Sequence, residues 1–273
     1  MRTNAQGLVA FAAASIVAAA FAGCTGSGTS ASATDTGALA ADTSALAADT
    51  SASPTMNALS AAEEAEGWRL LFDGETTSGW RRYRGEGFPD GWQVIGGSLV
   101  RVTAGAGDIV SVDRFGNFDL RLEWKVSPGG NAGVFYRAAE TADLIWHTAP
   151  EMQVLDDERH PDGGSELTSA GALYAMYPAP RGAVRPAGEW NDARVLLDGN
   201  RGEHWLNGVK LFDFEIGSPD WVSRFRASKF ATLPAFGRAA EGHIGLQDHE
   251  AAEGYRGSDD RVEFRNIRIR VLP

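Results

Sequence analysis

The chain is poor in cysteine, has no surplus of basic residues, and has no apolar run long enough to span a bilayer. It also lacks two common enzyme signatures. A single Cys among 273 residues rules out an intrachain disulfide and any Cys-rich zinc site. Lys and Arg number 25 against 36 Asp and Glu, a net charge of −11. That sign argues against nucleic acid, whose phosphates reward basic clusters. No glycine-rich phosphate loop stands before a helix pattern, so nucleotide use is not suggested. No Gly-x-Ser-x-Gly occurs, which removes the usual serine-esterase signal. What is present in quantity is glycine, with 33 residues, tryptophan, with 8, and 43% hydrophobic residues. Such a chain can bury a real core, which excludes disorder throughout. Many turns and large flat side chains point to an all-β protein with an aromatic-lined cleft.

The N-terminus reads as an address. A basic start, MRTNAQG, is followed by the largely apolar LVAFAAASIVAAAFA and then Gly23-Cys24, the layout of a secretory signal. The run is short for a bilayer span of about 20 residues. The one Cys directly follows Phe21-Ala22-Gly23, which resembles a bacterial lipobox with Phe21 where Leu is usual. The expectation is a lipoprotein signal peptide at 1–23, lipidated Cys24 as the mature N-terminus, and an exported protein anchored to the cell envelope. Residues 24–64 are dominated by Ala, Ser, Thr, Gly and Asp, with GALAADT repeated as SALAADT. They read as a low-complexity flexible tether, leaving one domain at 65–273.

That domain reads as strands. FDLRLEWKV (118–126) alternates Phe118, Leu120, Leu122, Trp124 and Val126 with Asp119, Arg121, Glu123 and Lys125, the period of two of a half-buried strand. HWLNGVKLFDFEI (204–216) carries Asn207-Gly208 between apolar stretches, a strong hairpin signal. Further strands are expected in WRLLFDG, WQVIGGSLVRV, AGVFYR, 193–199, 242–247 and 261–272. SPDWVSRFRASKF (218–230) is the one convincing helix, with Ser218 as N-cap and Pro219 in the first turn. The fold class expected is a two-sheet antiparallel β-sandwich or jelly roll with one short helix.

The densest polar run is EMQVLDDERHPDGG (151–164). On a strand, Glu151 and Gln153 would share one face and Met152 and Val154 the other. Residues two apart lie about 6.5–7 Å along a strand, and a retaining glycosidase needs its carboxyls about 5–5.5 Å apart. With Gln at the second position, direct retaining hydrolysis by this pair is disfavoured. Asp156, Asp157, Glu158 and His160 follow in an expected loop, as a hard-cation site or a solvated acidic turn. Asn131 precedes the strand AGVFYR, whose Arg137 would share a face with Phe135 and Gly133 and either clamp a sugar oxygen or pair with Glu123. His204 and His249 are the acid/base candidates, while His147 and His243 look incidental. Trp68, Trp80, Trp92, Trp124, Trp190, Trp205 and Trp221 are expected mostly in the core, with one or two free to stack on a sugar ring.

Read in order, GWRLLFDGETTSGW (67–80), GWQVIGGSLV (91–100), GNFDLRLEWKVSPGGNAGVFYR (116–137), EMQVLDDERH, GALYAMYP (171–178), GEWNDARVLLDGNRGEHWLNG (188–208) and GHIGLQDH…VEFRNIRIR (242–270) resemble the 3-keto-disaccharide hydrolase domain family. The resemblance spans about 67–271. It departs from the family pattern after His249, where Glu250 replaces a Gly and EAAEGYRGSDDR intervenes before Val262. The resemblance implies a concanavalin-like jelly roll and action on sugars oxidised at C3. A ketone acidifies the C2–H, so one base can start a β-elimination that expels the C1 oxygen, and water then adds to the enone.

Together with the polar strand face, the resemblance implies Glu151 or His249 as base. Arg137, Gln153 or a metal would serve as oxyanion partner, and His249 or Asp156 as proton donor. The substrate-binding set is Asn131, Arg137, Gln153, Tyr174, Asn191, His204 and Gln247. A divalent cation, Ca²⁺ or Mn²⁺, is left open, as is a sugar 3-oxidoreductase acting in the same pathway. Two other readings remain at this point: a non-catalytic, lectin-like carbohydrate-binding module, since fold does not give function, and a conventional endoglycosidase.

Overall fold

The structure, a computed structural model, describes residues 55–256 and 260–273. The signal peptide, Cys24 and most of the expected tether lie outside the described residues. In chain order the strands are β1 (Trp68–Leu70), β2 (Trp80–Arg82), β3 (Trp92–Ile95), β4 (Ser98–Arg101), β5 (Ile109–Phe115), β6 (Phe118–Val126) and β7 (Asn131–Ala138). There follow β8 (Glu151–Leu155), β9 (Asn191–Asp198), β10 (Arg201–Leu206), β11 (Val209–Glu215), β12 (Gly242–Leu246) and β13 (Val262–Val271). Helix α1 (Ala61–Ala65) precedes β1, and α2 (Pro219–Ala227) lies between β11 and β12.

Two antiparallel sheets face each other. One runs β11-β10-β9-β6-β13-β4-β3, with β1 added beside β13; the other runs β2-β5-β12-β7-β8. The alternation in β6 places Phe118, Leu120, Leu122, Trp124 and Val126 in the core between them. Val134, Tyr136, Met152, Val154, Ile244 and Leu246 meet them from the second sheet. The outward residues of β6 are not simply solvated. Asp119 is buried beneath the guanidinium of Arg194, which reaches it at 2.8 and 3.0 Å, and Arg121 lies over the Trp68 ring. Trp190 and Trp205 likewise sit outside the core under Arg265 and Arg194.

Asn207 and Gly208 both take positive φ, 50° and 79°, and close the β10–β11 hairpin, because a two-residue turn matching strand twist needs both in that region. Helix α2 begins as expected, with Ser218 Oγ accepting from Trp221 N at 3.1 Å. It stops three residues early: Ser228 is extended, and its Oγ donates to Phe225 O at 2.8 Å while accepting from Phe230 N at 3.1 Å. Lys229 and Phe230 therefore leave the helix.

The domain also starts earlier than expected, which corrects the tether's end at 64. Asn57 is buried, its N–H donates to Asn266 Oδ1 at 2.6 Å, and its Oδ1 accepts from Asn266 N at 2.8 Å. Ser60 and Glu63 form a capping box on α1, and Glu63 pairs with Arg268.

A buried arginine organises the chain around the stretch that departs from the family pattern. Arg101 is fully enclosed, its Nη2 donating to Asp260 Oδ1 at 2.6 Å and its Nε lying 3.6 Å from Asp248 Oδ1. The other oxygen of Asp260 accepts from Ala251 N at 2.9 Å. One guanidinium thus grips both ends of the segment that follows Gln247.

Candidate active site

All five residues of β8 are buried. Met152 and Val154 face the core, while Glu151 and Gln153 lie on the outer face of the second sheet, as the alternation requires. That face is thickened by a second apolar cluster of Val110, Phe135, Ala138, Ile145 and Ala149, with Trp146 packed against it. β7 pairs with β8 so that Gly133 lies opposite Gln153 and Phe135 opposite Glu151. A Cβ on Gly133 would overlap the Glu151 carboxylate; glycine here leaves the room in which Glu151 lies across β7. On the other edge of β8, Tyr174 N donates to Glu151 O and Gly171 N to Gln153 O, which draws Tyr174 to the same face.

These residues line a cavity of about 200 Å³ with Asn131, Trp146, Lys229, Gln247 and His249. Pockets that engulf a drug-sized ligand run to about 300–1,000 Å³, so this one suits a single sugar unit. A larger cleft of about 510 Å³ lies elsewhere, between Tyr177, Arg201, Glu203, Asp213 and Asp220. Two of its carboxylates have close partners: Glu203 pairs with Lys210 and Asp220 with Arg224. The smaller cavity is the candidate because it holds the buried carboxyl and a cation without a direct partner among the described residues.

Burial pushes the Glu151 carboxyl up, to about 8; the Lys229 ammonium pulls it back, and Asp108 and Asp162 raise it further. Asp108, itself pushed to about 6 by burial, accepts from Asp248 N at 2.9 Å. Burial also lowers Lys229 from the ordinary lysine value. The Lys229 Nζ lies 4.2 Å from the Tyr174 ring centroid, 5.2 Å from Phe230 and 5.3 Å from Trp146. Among the described residues it makes no hydrogen bond and no ion pair, so the rings hold it and Glu151 and Asp162 act on it through space. The Tyr174 hydroxyl donates to Asp162 Oδ2 at 2.9 Å. Gln247 Oε1 is buried without a partner among the described residues, an acceptor left for a ligand hydroxyl.

Of the residues expected at the site, the structure gathers Glu151, Gln153, Asn131, Tyr174, Gln247 and His249. Four others stand apart. Arg137, at φ 49°, breaks the strand alternation and donates to the carbonyls of Gly116 and Gly199 at 3.0 and 2.7 Å; it neither reaches the pocket nor pairs with Glu123, which binds Arg265. Asn191 belongs to the other sheet, where its Oδ1 accepts from Arg185 N and Asn207 Nδ2. His204 is fully buried between the sheets. The Gly171 carbonyl can only accept, so His204 Nδ1 donates to it at 2.9 Å and Nε2 accepts from the Tyr136 hydroxyl at 3.1 Å. Burial lowers His204 to about 4, which keeps it neutral.

The fourth is Asp156, whose carboxylate accepts from Gly129 N at 2.7 Å and Glu158 N at 3.1 Å, while Asp157 accepts from Ala170 N. The acidic run thus ties its own loop to neighbouring backbone. Among the described residues no three His, Cys, Asp or Glu side chains converge to hold a metal ion.

Lys229, Trp146 and Asp108 carry no local sequence signal, and Asp162 lies in the polar run 151–164 without being singled out from it. Lys229 in particular sits where a lysine reads as the ordinary basic end of a helix.

A two-sheet antiparallel sandwich, with a buried carboxyl, amides and aromatic rings around a one-sugar cavity on an outer face, is a carbohydrate-active architecture. Comparison with known proteins narrows it. Residues 67–270 match the 3-keto-alpha-glucoside-1,2-lyase-like domain, and the chain belongs to that family. It is 34% identical over 248 residues to a 3-keto-disaccharide hydrolase of Bacteroides thetaiotaomicron, covering 80% of this chain and 82% of that one. A crystal structure from Parabacteroides distasonis ATCC 8503, of a protein proposed to be a glycosyl hydrolase, shares 35% identity at a TM-score of 0.72, covering 80% of this chain and all of that one. A second such structure from the same organism shares 27% identity at a TM-score of 0.58, covering 75% and 99%. The chain is a carbohydrate-active hydrolase of this family.

Proposed function

We propose that the protein cleaves the glycosidic bond of 3-keto-glycosides by elimination followed by hydration. The observation that carries this reading is the arrangement of Glu151 and Lys229: one buried carboxyl with a raised proton affinity and one cation without a direct partner among the described residues, lining the same cavity. Such a pair suits proton removal next to a carbonyl better than the two-carboxylate chemistry of ordinary glycosidases. Glu151 takes the proton from C2, and the electron pair moves into the C2–C3 bond as negative charge forms on the C3 oxygen. Lys229 stabilises that oxygen in a site where burial strengthens the attraction. The enolate re-forms its ketone as the C1–oxygen bond breaks, leaving a C1–C2 double bond.

The departing oxygen needs a proton. His249 lines the cavity, and its Nδ1 donates to Glu250 O at 2.8 Å, so the imidazolium form presents an Nε2–H that it gives to the departing oxygen. Water then adds at C1 and gives its proton to His249 Nε2, and the proton held by Glu151 returns to C2, which completes a net hydrolysis and restores both groups. Gln247 Oε1 takes a hydroxyl of the bound sugar, and the Trp146 and Tyr174 rings offer flat apolar faces.

The test is turnover of a 3-keto-disaccharide against its unoxidised parent. Monosaccharide release from the keto sugar alone is expected, and Glu151→Gln should lower it by roughly 10²–10⁴-fold. Because Glu151 acts as carboxylate, kcat/KM should climb as pH rises toward about 8. Lys229→Met should move that limb to higher pH and cost roughly 10²–10³-fold in rate. Cleavage of both sugars would return the protein to conventional glycosidase chemistry. Binding of the parent sugar with no cleavage of either would make it a lectin-like module.

The proposal extends to the cell. With 1–23 as signal and Cys24 lipidated, the enzyme would sit on the envelope and receive its substrate from a sugar 3-oxidoreductase. Labelling of the wild type but not of Cys24→Ala by a fatty-acid probe tests the anchor.

A further inference from the structure

Glu151 is met on its Oε1 side by a row of polar groups, two buried amides and the half-buried His160, that no step above uses. Asn131 and Gln153 are 3% and 1% exposed, so their amides cannot exchange partners with water. The two amides meet at 3.3 Å, and the Asn131 amide meets His160 Nε2 at 3.3 Å. His160 Nδ1 lies 3.1 Å from Asp162 N.

The direction of every hydrogen bond in this row is fixed from its ends. A backbone N–H can only donate, so His160 Nδ1 accepts from Asp162 and the neutral ring carries its proton on Nε2. Nε2–H then needs an acceptor, which turns the Asn131 oxygen toward it and the Asn131 NH₂ toward Gln153. Gln153 answers with its oxygen, and its own NH₂ points to Ala132 O at 3.1 Å and Glu151 Oε1 at 3.2 Å. The far end gives the same answer independently: with the amide reversed, the Gln153 oxygen would face the Ala132 carbonyl and the carboxylate, both of which only accept.

We propose that His160 is a positioning residue for Glu151, acting through Asn131 and Gln153 to aim an N–H at the carboxylate. Its significance for catalysis rests on Glu151 being the base; its geometry does not. A donor on Oε1 favours the ionised form, so the row opposes the burial that raises Glu151. The ring stays neutral because a second proton on Nδ1 would break its bond to Asp162, and burial lowers its proton affinity as well. The other ionisable groups that interact with Glu151 are Lys229, Asp108, Asp162, Tyr174 and Tyr136. Those acting on His160 are Asp162, His249 and Asp156.

The test uses NMR on the full chain without substrate, so it stands whether or not 3-keto sugars are turned over. Nitrogen shifts should show His160 as the Nε2–H tautomer, and the Glu151 carboxyl resonance, assigned with Glu151→Gln, gives its titration midpoint. His160→Leu removes the head of the row, freeing the two amides to reverse, and should raise that midpoint by about one pH unit, a tenfold change in proton affinity. In His160→Gln the side-chain N–H can replace Nε2–H and should restore the midpoint. An Nδ1–H tautomer in the wild type would overturn the proposal even if the leucine variant did not fold. A folded His160→Leu with an unchanged midpoint would overturn it too.

Discussion

Glu151 holds a proton that the unfolded chain would release. Its pKa is raised to about 8 in the folded protein against 4.5 unfolded, so the folded state binds the extra proton between those values. Stability from this group is therefore complete below about pH 4.5 and lost progressively as pH rises through 8. Glu151→Gln, which keeps the shape without the charge, should melt higher than wild type at pH 8, with the gap closing toward pH 4 in thermal scans. With Glu151 as the proposed base, the same variant should be close to inactive, and the group then costs the fold stability at the pH where it works. Gly133 makes the complementary prediction. An alanine there meets the carboxylate, so Gly133→Ala should lower kcat/KM by roughly 10²-fold in steady-state assays while the sheet still forms. The sequence exposed Glu151 and Gln153 through simple alternation. It could not expose Lys229, whose nearness to Glu151 comes from a chain segment 78 residues further on. His204 and Asn191 show the converse, since a polar side chain on a strand looks the same whether it faces a ligand or a hydrogen bond in the interior.

Among the elements, β6 and the β10–β11 hairpin were legible because period-two burial and an Asn-Gly turn are local properties. The end of α2 was not: RFRASKF keeps a helical pattern, yet Ser228 turns its hydroxyl back onto the helix and stops it. The two serines of this helix should therefore behave differently. Ser218→Ala removes a cap and should cost about 1 kcal/mol of stability with kcat/KM nearly unchanged. Ser228→Ala releases the chain that carries Lys229 and should lower kcat/KM several-fold with a smaller effect on stability. Denaturant titrations and steady-state kinetics on the pair separate the outcomes. Arg137 is the clearest misreading at this scale. Its positive φ turns it out of the alternation that placed it beside Gly133, and nothing in AGVFYR announces that turn.

For the whole molecule, composition and strand count sufficed for the sandwich, while the domain's first residues did not look like part of it. A polar, low-complexity approach hides Asn57, whose two hydrogen bonds to Asn266 join positions 209 apart. A protein starting at Ala65 should melt below one starting at Thr55. Two such bonds are worth about 2 kcal/mol, or roughly 4–8 °C for a chain of this size, measurable by calorimetry.

The Arg101 clasp reaches further. Because Asp248 and Asp260 close on one enclosed guanidinium, the chain between them is a loop whose mouth is fixed regardless of its contents, and the entropy of closing such a loop grows only slowly with its length. His249 lies just inside that mouth, at the edge of the sugar cavity. The sequence beyond His249 can therefore change in length without unfastening that mouth, while His249 at its rim and the strands β7 and β8 stay where they are.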